Sequence, residues 1–534
     1  MIMRMRLYYI LFWLLAALSD LASQEVVVHF DKPYYLAGEY AFYTMAFSDP
    51  QADSAFVVRV EVANNQANLG HHFVSVDKRK SRGYFKIPYD VKSDFYYFSV
   101  DLFQGKTHNR HQVLQCPLAI YNSSDANDLD QGDSGELMPD SPPGVIDILL
   151  KDEPRTTRQR IRASVRVEQP SLVSIVIRDK TFYPERGSHT VLSQFNTEEE
   201  AYLHGIPIFG KRIPRDDAIK NPLFFAMNKT TLDFAISMVG EDSMFSLALP
   251  PFFGEQNIDF IDYLLDDVAV EITPYSGSYP ELVLTINAKV KSTLELIEER
   301  RKIYGFYNSL EQVLPFAIQD PPKPAVESDY EVDVPDFAIQ GTLLDLFKEI
   351  LAPLKFRRAG EGKQRARMIY ETEEGSHFYN SKTKFIVNDL VTRDGNYIAN
   401  IPIQEVEYIT IYHDLEKVRK HFGPIGTGGI VVIEMKDKTY SLPDEICLPD
   451  RLIQGLQKGI QYPIEVSATA IEPQIKSTLF WSPFAETDAQ GELEFEFTTS
   501  DDLSDFEIIA VAVNPEGRIT TDRRIFSVSR MSSN

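Results

Sequence analysis

A few clusters in this chain have residue types and spacings that could do chemistry. His71 and His72 are adjacent, and imidazole nitrogens are common metal ligands. No third ligand lies near them, so the pair reads as a solvent-exposed loop between two strands. His413-Asp414 follows a strand pattern, and Asp414 is explained as the N-cap of the helix after it. Asp259, Asp262, Asp266 and Asp267 could in principle ligate calcium. Their spacing lacks the glycine and terminal glutamate of an EF-hand loop, so a solvated acidic loop is the reading. Gly426, Gly428 and Gly429 come before a strand. Dinucleotide loops follow a strand and open a helix, so these glycines read as a tight turn. No HExxH or GxSxG motif occurs. The expectation is a chain with no catalytic, cofactor-binding or metal-ligating residues, acting without enzymatic chemistry or a cofactor.

Charge and cysteine usage narrow the class further. The 534 residues carry a formal net charge of -24. That charge repels nucleic-acid phosphates and disfavours an anionic membrane surface. It fits solubility in an exposed compartment. Only Cys116 and Cys447 are present, too few for a disulfide framework. They could pair after export, but nothing requires it. Arg4 and Arg6 precede an apolar run over residues 7–18, and small residues follow at Ala17, Ser19, Ala22 and Ser23. This is the pattern of a secretory signal, with an apolar core short for a stable span. No cysteine lies there to carry a lipid. The expectation is an exported, mature chain with no membrane span, in the periplasm or at the outer membrane.

The elements that must position any site are mostly strands. Residues 56–62 (FVVRVEV) put Phe56, Val58, Val60 and Val62 on one face and Val57, Arg59 and Glu61 on the other. That period of two predicts a sheet with one buried face. Residues 95–102, 161–168, 171–179, 492–499 and 506–514 carry further strand patterns. Residues 195–270 read as irregular, acidic, strand-rich loops. Helices are predicted over 291–309, with Leu294, Ile297, Arg301 and Tyr304 on one stripe, and over 342–351 and 414–422. The acidic, Ser- and Pro-rich run 122–144 and the Pro-rich run 315–326 read as linkers.

Three stretches resemble known families. Residues 28–47 resemble the opening of a macroglobulin MG2 domain, with Asp31, Lys32, Pro33, Tyr35, Gly38 and Glu39 matching its D-K-P-x-Y-x-x-G-E motif. Residues 384–437 resemble part of the plug domain of TonB-dependent receptors, where Val406 to Tyr412, Gly423, Gly426, Gly429, Ile430 and Ile433 hold the matching places. Asn388-Asp389 stands where those receptors usually have Asp-Gly, which departs from the pattern. Residues 478–497 resemble a later macroglobulin segment through Trp481, Asp488 and Gly491, with Ala510 and Ala512 in the strand beyond. The combination resembles large exported proteins of Bacteroidota, and the matches cover about a third of the chain. It implies a mainly β fold of tandem macroglobulin-like (Ig-like) sandwiches with a small α+β plug-like domain. Macroglobulins form a thioester from Cys and Gln in C-G-E-Q. Here 253-FGEQ-256 has Phe253 at the sulfur position, so that chemistry is impossible. A receptor barrel of about 22 strands needs over about two hundred residues, more than follow Asp437.

The expected organisation is a signal peptide (1–23), an MG2-like sandwich (24–121), a linker (122–144) and a second β-domain (145–288). A helix and Pro-rich linker (289–328), the plug-like domain (329–440), a connector (441–462) and a macroglobulin-like β-domain (463–534) follow. The functional expectation is a cell-envelope protein acting through protein–protein contacts, an accessory of an outer-membrane transport or assembly complex. Its partners would be outer-membrane or periplasmic proteins, such as a TonB-dependent transporter. Two alternatives stay open. One is an envelope hydrolase or protease-interacting factor whose dispersed site uses the acidic loop and a distant histidine. The other is a structural or adhesin-like stalk.

Overall fold

A computed structural model describes residues 24–48, 54–105, 108–125, 129–130, 146–182, 190–195, 201–213, 223–228, 231, 233–240, 242–262, 270–273, 277–307, 327–337, 340–350, 352–358, 363–388, 390–422, 426, 428–443, 450–460, 462, 471 and 473–530. The expected signal peptide, most of the 122–144 linker, the Pro-rich run, Asp266, Asp267, Asp389, Gly423 and Cys447 lie outside the described residues.

In chain order the elements begin with β1 (Gln24–Phe30), β2 (Tyr34–Leu36), β3 (Tyr40–Phe47), β4 (Phe56–Ala63), β5 (Asn68–Val76), β6 (Lys80–Lys86), β7 (Asp94–Gln104) and β8 (Asn109–Tyr121). Then come β9 (Ile146–Leu149), β10 (Arg160–Val167), β11 (Leu172–Asp179), β12 (Thr190–Phe195), β13 (Ile206–Arg212), β14 (Leu223–Asn228), β15 (Phe234–Met238), β16 (Met244–Leu249), β17 (Glu255–Asp262) and β18 (Val270–Ile272). Helix α1 (Ala288–Tyr307) precedes β19 (Tyr330–Asp333), α2 (Leu343–Ile350), β20 (Leu354–Arg358), β21 (Gln364–Thr372), β22 (Gly375–Phe378), β23 (Lys384–Val387) and β24 (Leu390–Thr392). The chain continues through α3 (Gly395–Ala399), β25 (Val406–Tyr412), α4 (Leu415–Phe422), β26 (Ile430–Met435) and β27 (Asp450–Gln454) to β28 (Thr478–Glu486), β29 (Glu492–Thr498), β30 (Asp505–Val513) and β31 (Ile519–Ser527). The fold is mainly β. The stretch expected to be irregular, 195–270, holds the strands β13–β18.

The chain divides into two compact units. The first is 1–204 with 276–318 and 457–534; the second is 205–275 with 319–456. In the first unit, sheets β12-β1-β3-β6 and β2-β8-β7-β4-β5 form a sandwich around Val28, Tyr43, Met45, Val58, Phe98 and Val100. A second sandwich faces sheet β29-β10-β9 with β28-β11-β30-β31 around Val165, Ile175, Phe497, Phe506 and Ala510. Its sheets join residues placed in separate domains by the sequence reading. β10 pairs with β29 and β11 with both β28 and β30. The expected boundaries of 145–288 and 463–534 are corrected accordingly, because strand pairing over such distances leaves no local trace. Helix α1 lays Val290 and Leu294 against Tyr34, Phe95 and Phe182.

The alternation in β4 also has a different outcome from the one expected. Arg59 and Glu61 are buried as deeply as Val58 and Val60. The chain at Leu203 bonds Val57 and Phe103 in the sheet plane at the end of the β4–β7 ladder, and on the Arg59 face Tyr279 donates to Glu61 at 2.8 Å. The buried charges neutralise one another: Arg59 meets Glu61 at 2.6 Å and Asp101 at 3.0 Å, and Arg110 meets Asp101 at 3.0 Å. Removing one member leaves an uncompensated buried charge.

In the second unit, sheets β16-β13-β18 and β15-β14-β17-β27 meet through Phe245 and Phe260, ring centroids 6.0 Å apart. A mixed sheet, β19-β25-β26-β23-β24, has β23 parallel to β26. It shares a core with α2, α3 and the β20-β21-β22 sheet through Leu346, Phe347, Ile398, Met368 and Ile433. Arg59→Met, which leaves Glu61 without a cation and Asp101 with Arg110 alone, is expected to cost about 3–5 kcal/mol, read as a lower urea midpoint at unchanged m-value.

Candidate functional site

The described residues hold no group of three or more His, Cys, Asp or Glu able to bind a metal. The strongest built feature is the turn after β1. Asp31 Oδ1 accepts from the Tyr35 hydroxyl at 2.6 Å and from the Phe42 amide at 3.1 Å. Its Oδ2 accepts from the Tyr462 hydroxyl at 2.9 Å. Glu39 pairs with Lys32 at 3.2 Å and accepts from the Leu36 amide. Gly38 has φ +84°, and a Cβ there would overlap the Tyr89 ring, so both backbone and space demand glycine. The geometry gathers Asp31, Lys32, Pro33, Tyr35, Gly38 and Glu39 into one hydrogen-bonded turn that anchors a distant strap.

That strap is residues 457–460 with Tyr462. The Gln457 side chain accepts from the Tyr84 amide at 3.0 Å and donates to the Tyr84 carbonyl at 2.6 Å. An amide side chain thus does at β6 what a neighbouring strand would do, covering an exposed sheet edge. Tyr462 also packs near Phe42 and Trp481.

The histidine pair departs from expectation. Both lie within β5, not in a loop. Successive strand residues point to opposite faces, so His71 is exposed and His72 is buried. The two rings cannot chelate one ion. His72 Nε2 lies 2.7 Å from the Tyr43 hydroxyl. Asp259 is likewise not part of a solvated loop. It sits buried in β17, 3.4 Å from the buried Lys384 ammonium.

The remaining motif residues shape turns and cores. Asp414 Oδ1 accepts from the Lys417 amide at 2.9 Å, an N-cap for α4. Gly429, φ +72°, closes a turn onto the Gly426 carbonyl at 2.8 Å, and Ile430 then enters β26 fully buried. Asp488 accepts from the amides of Gln490 and Glu492, and the Gly491 amide donates to the Asp488 carbonyl. Trp481 is buried 5.1 Å from the His29 ring. Cys116 is buried in the first sandwich, and burial pushes its thiol far up. No helix among the described residues is long and apolar enough to cross a membrane.

One surface feature escaped the sequence reading. β15 is an edge strand of its sheet and leaves Ile236 54% and Met238 68% exposed. Phe225, paired with Ile236 on the same face, is buried. Only the pairing order reveals which apolar strand lies at an edge.

No protein-family model matches the chain, and no curated protein matches it. Among solved structures it is similar to native Escherichia coli alpha-2-macroglobulin, at 8% identity and a TM-score of 0.24, over 96% of this chain and 40% of that one. Salmonella alpha-2-macroglobulin reacted with methylamine gives 8% and 0.24, over 95% and 40%. Elastase-activated E. coli alpha-2-macroglobulin gives 7% and 0.24, over 95% and 44%. The chain thus spans about two fifths of the length of the first of these. Likeness of this size transfers no function, and the mainly β, sandwich-based fold stands on the strand pairing described above.

Burial sets opposing pH dependences in the first unit. It raises the Asp31 carboxyl from 3.8 to about 6, against the opposing pull of Lys32 and its hydrogen-bond donors. A raised carboxyl stabilises the fold at low pH and loses that contribution as pH rises through about 6. Burial lowers His29 and His72 from 6.5 to about 3. Their contribution is complete above 6.5 and is lost as pH falls below it. Asp31→Asn removes the term that opposes the histidines. Its urea midpoint is expected to fall more steeply than wild type between about pH 7 and pH 5. Parallel slopes would show that Asp31 titrates as it does in the unfolded chain.

Proposed function

We propose that this protein is a non-enzymatic binding protein of the cell envelope, working through contacts between its sheets and other proteins. The observation that carries the reading is the exposed apolar pair Ile236 and Met238 on β15. Edge strands present unpaired backbone groups, and soluble proteins usually blunt them with charge, proline or cover. Elsewhere the chain does so: Gln457 caps β6. At the β9 edge, the Ile148 amide donates to Asp522 and its carbonyl accepts from Arg524, both side chains coming from β31. On β15 the Ser237 hydroxyl donates to the Ser246 carbonyl of β16 at 2.7 Å, while Ile236 and Met238 on either side of it are left exposed at alternate positions, an apolar pair that a partner can cover.

Export to the periplasm or outer-membrane surface is supported by the basic, apolar and small-residue pattern of residues 1–23. An accessory role beside an outer-membrane transport or assembly complex, such as a TonB-dependent transporter, is supported by the plug-like order of residues 384–437. Crosslinking in native envelopes followed by pull-down is expected to recover an outer-membrane or periplasmic protein. Ile236→Asp with Met238→Asp should abolish that recovery while leaving the thermal midpoint within a few degrees, since both side chains already face solvent. Recovery unchanged by the double substitution would reject β15 as the contact.

A further inference from the structure

Between Lys355 and Arg367 lie six basic residues, Lys355, Arg357, Arg358, Lys363, Arg365 and Arg367, against one acidic residue, Glu361, in a chain of net charge -24. Register puts four of them on one face of the β20–β21 ladder. Lys355 stands opposite Arg367, and Arg357 opposite Arg365. The other face carries Leu354, Phe356, Ala366 and Met368 into or against the core. Like charges directly opposite each other destabilise a sheet.

The contrast with β10 is informative. That strand is also arginine-rich, but its charges meet carboxylates: Arg160 and Arg162 on Glu496, and Arg166 on Glu492. Lys355, Arg357 and Arg365 have no carboxylate in ion-pair reach among the described residues. Two of the cations are also held in place. The Arg357 and Arg367 guanidinium groups lie 5.0 and 5.6 Å from the Phe378 ring centre, and Arg367 Nη2 donates to the Tyr379 carbonyl at 3.1 Å. Guanidinium groups fixed on an aromatic face are pre-organised for planar anions. Glu371, Glu373 and Glu374 are at the far end of the hairpin, the first of them about 13 Å along the strand from Arg367.

We propose that this face binds an extended acidic segment of a partner protein, with carboxylates at alternate positions. Alternate side chains of an extended strand repeat every 7 Å or so. Lys355 and Arg357, like Arg365 and Arg367, are two residues apart on their strands, so they present cations at that same repeat. An anionic lipid surface is the poorer occupant, because it would meet the net charge of the entire chain as well as four cations. The proposal shares with the protein-binding reading only that the partner is a polypeptide, and it uses a different sheet from β15.

The test is fluorescence anisotropy of a labelled peptide alternating Glu and Ser, titrated with the full chain. Binding is expected to weaken as salt rises and to fall by at least about tenfold in Arg357→Glu/Arg365→Glu. The single substitution Arg365→Glu should weaken binding yet hold or raise the thermal midpoint, because it turns a repulsive cross-strand pair into an attractive one. No binding, or binding indifferent to charge reversal, overturns the proposal. So does sedimentation with phosphatidylglycerol vesicles that exceeds peptide binding. Loss of peptide binding with β15-dependent pull-down intact would sink this inference alone.

Discussion

Sheet β12-β1-β3-β6 is apolar on both faces, and the first unit is organised around that constraint. Val26, Val28 and Met45 fill the first sandwich from one side. Val27, Phe42 and Ala46, on the other side, join Val176, Trp481, Phe484 and Val511 of the second sandwich. Each large apolar side chain so buried contributes about 1.5–3 kcal/mol. A sheet without a wet face offers its polar groups little water, so most of them find a protein partner. His29 Nδ1 lies 2.8 Å from Ser174 Oγ, which donates to the Ser482 carbonyl. Thr44 donates to the Ser81 carbonyl and accepts from the Phe484 amide. These bonds set register between sheets that apolar contact alone would let slide.

The same constraint governs charge. Interior ions occur in compensating groups: Arg59 with Glu61 and Asp101, Arg178 with Glu507, and Lys384 with Asp259. Such groups add modestly to stability but punish the loss of one member. Surface arginines on β10 are matched across the ladder by glutamates of β29. Against this economy, the cations of β20–β21, which meet no carboxylate among the described residues, and the exposed side chains of β15 stand out.

Chain connectivity explains the shape of the first unit. The polypeptide leaves it after residue 204, returns for 276–318 and returns again at 457. The second sandwich therefore closes only when β28–β31 meet β9–β11. The returning strap ties the same unit together, through Gln457 on Tyr84 and Tyr462 on Asp31.

Much of the local structure was written in the sequence. Period-two alternation located β4, β7, β10 and β29; the helical stripe located α1; Asp414 marked the start of α4; the glycines before Ile430 marked a turn. These features are legible because side-chain period, capping and positive φ are properties of a few neighbouring residues. Burial of Arg59 and Glu61, the separation of His71 from buried His72, the pairing of Asp259 with Lys384 and the sharing of one sandwich by residues 146–179 and 478–528 were not legible. Each depends on a residue far away in the chain that covers, neutralises or pairs with the one in view. The edge position of β15 and the cross-strand repulsion in β20–β21 belong to the same class, since both are set by which strand lies beside which, and only the folded chain decides that.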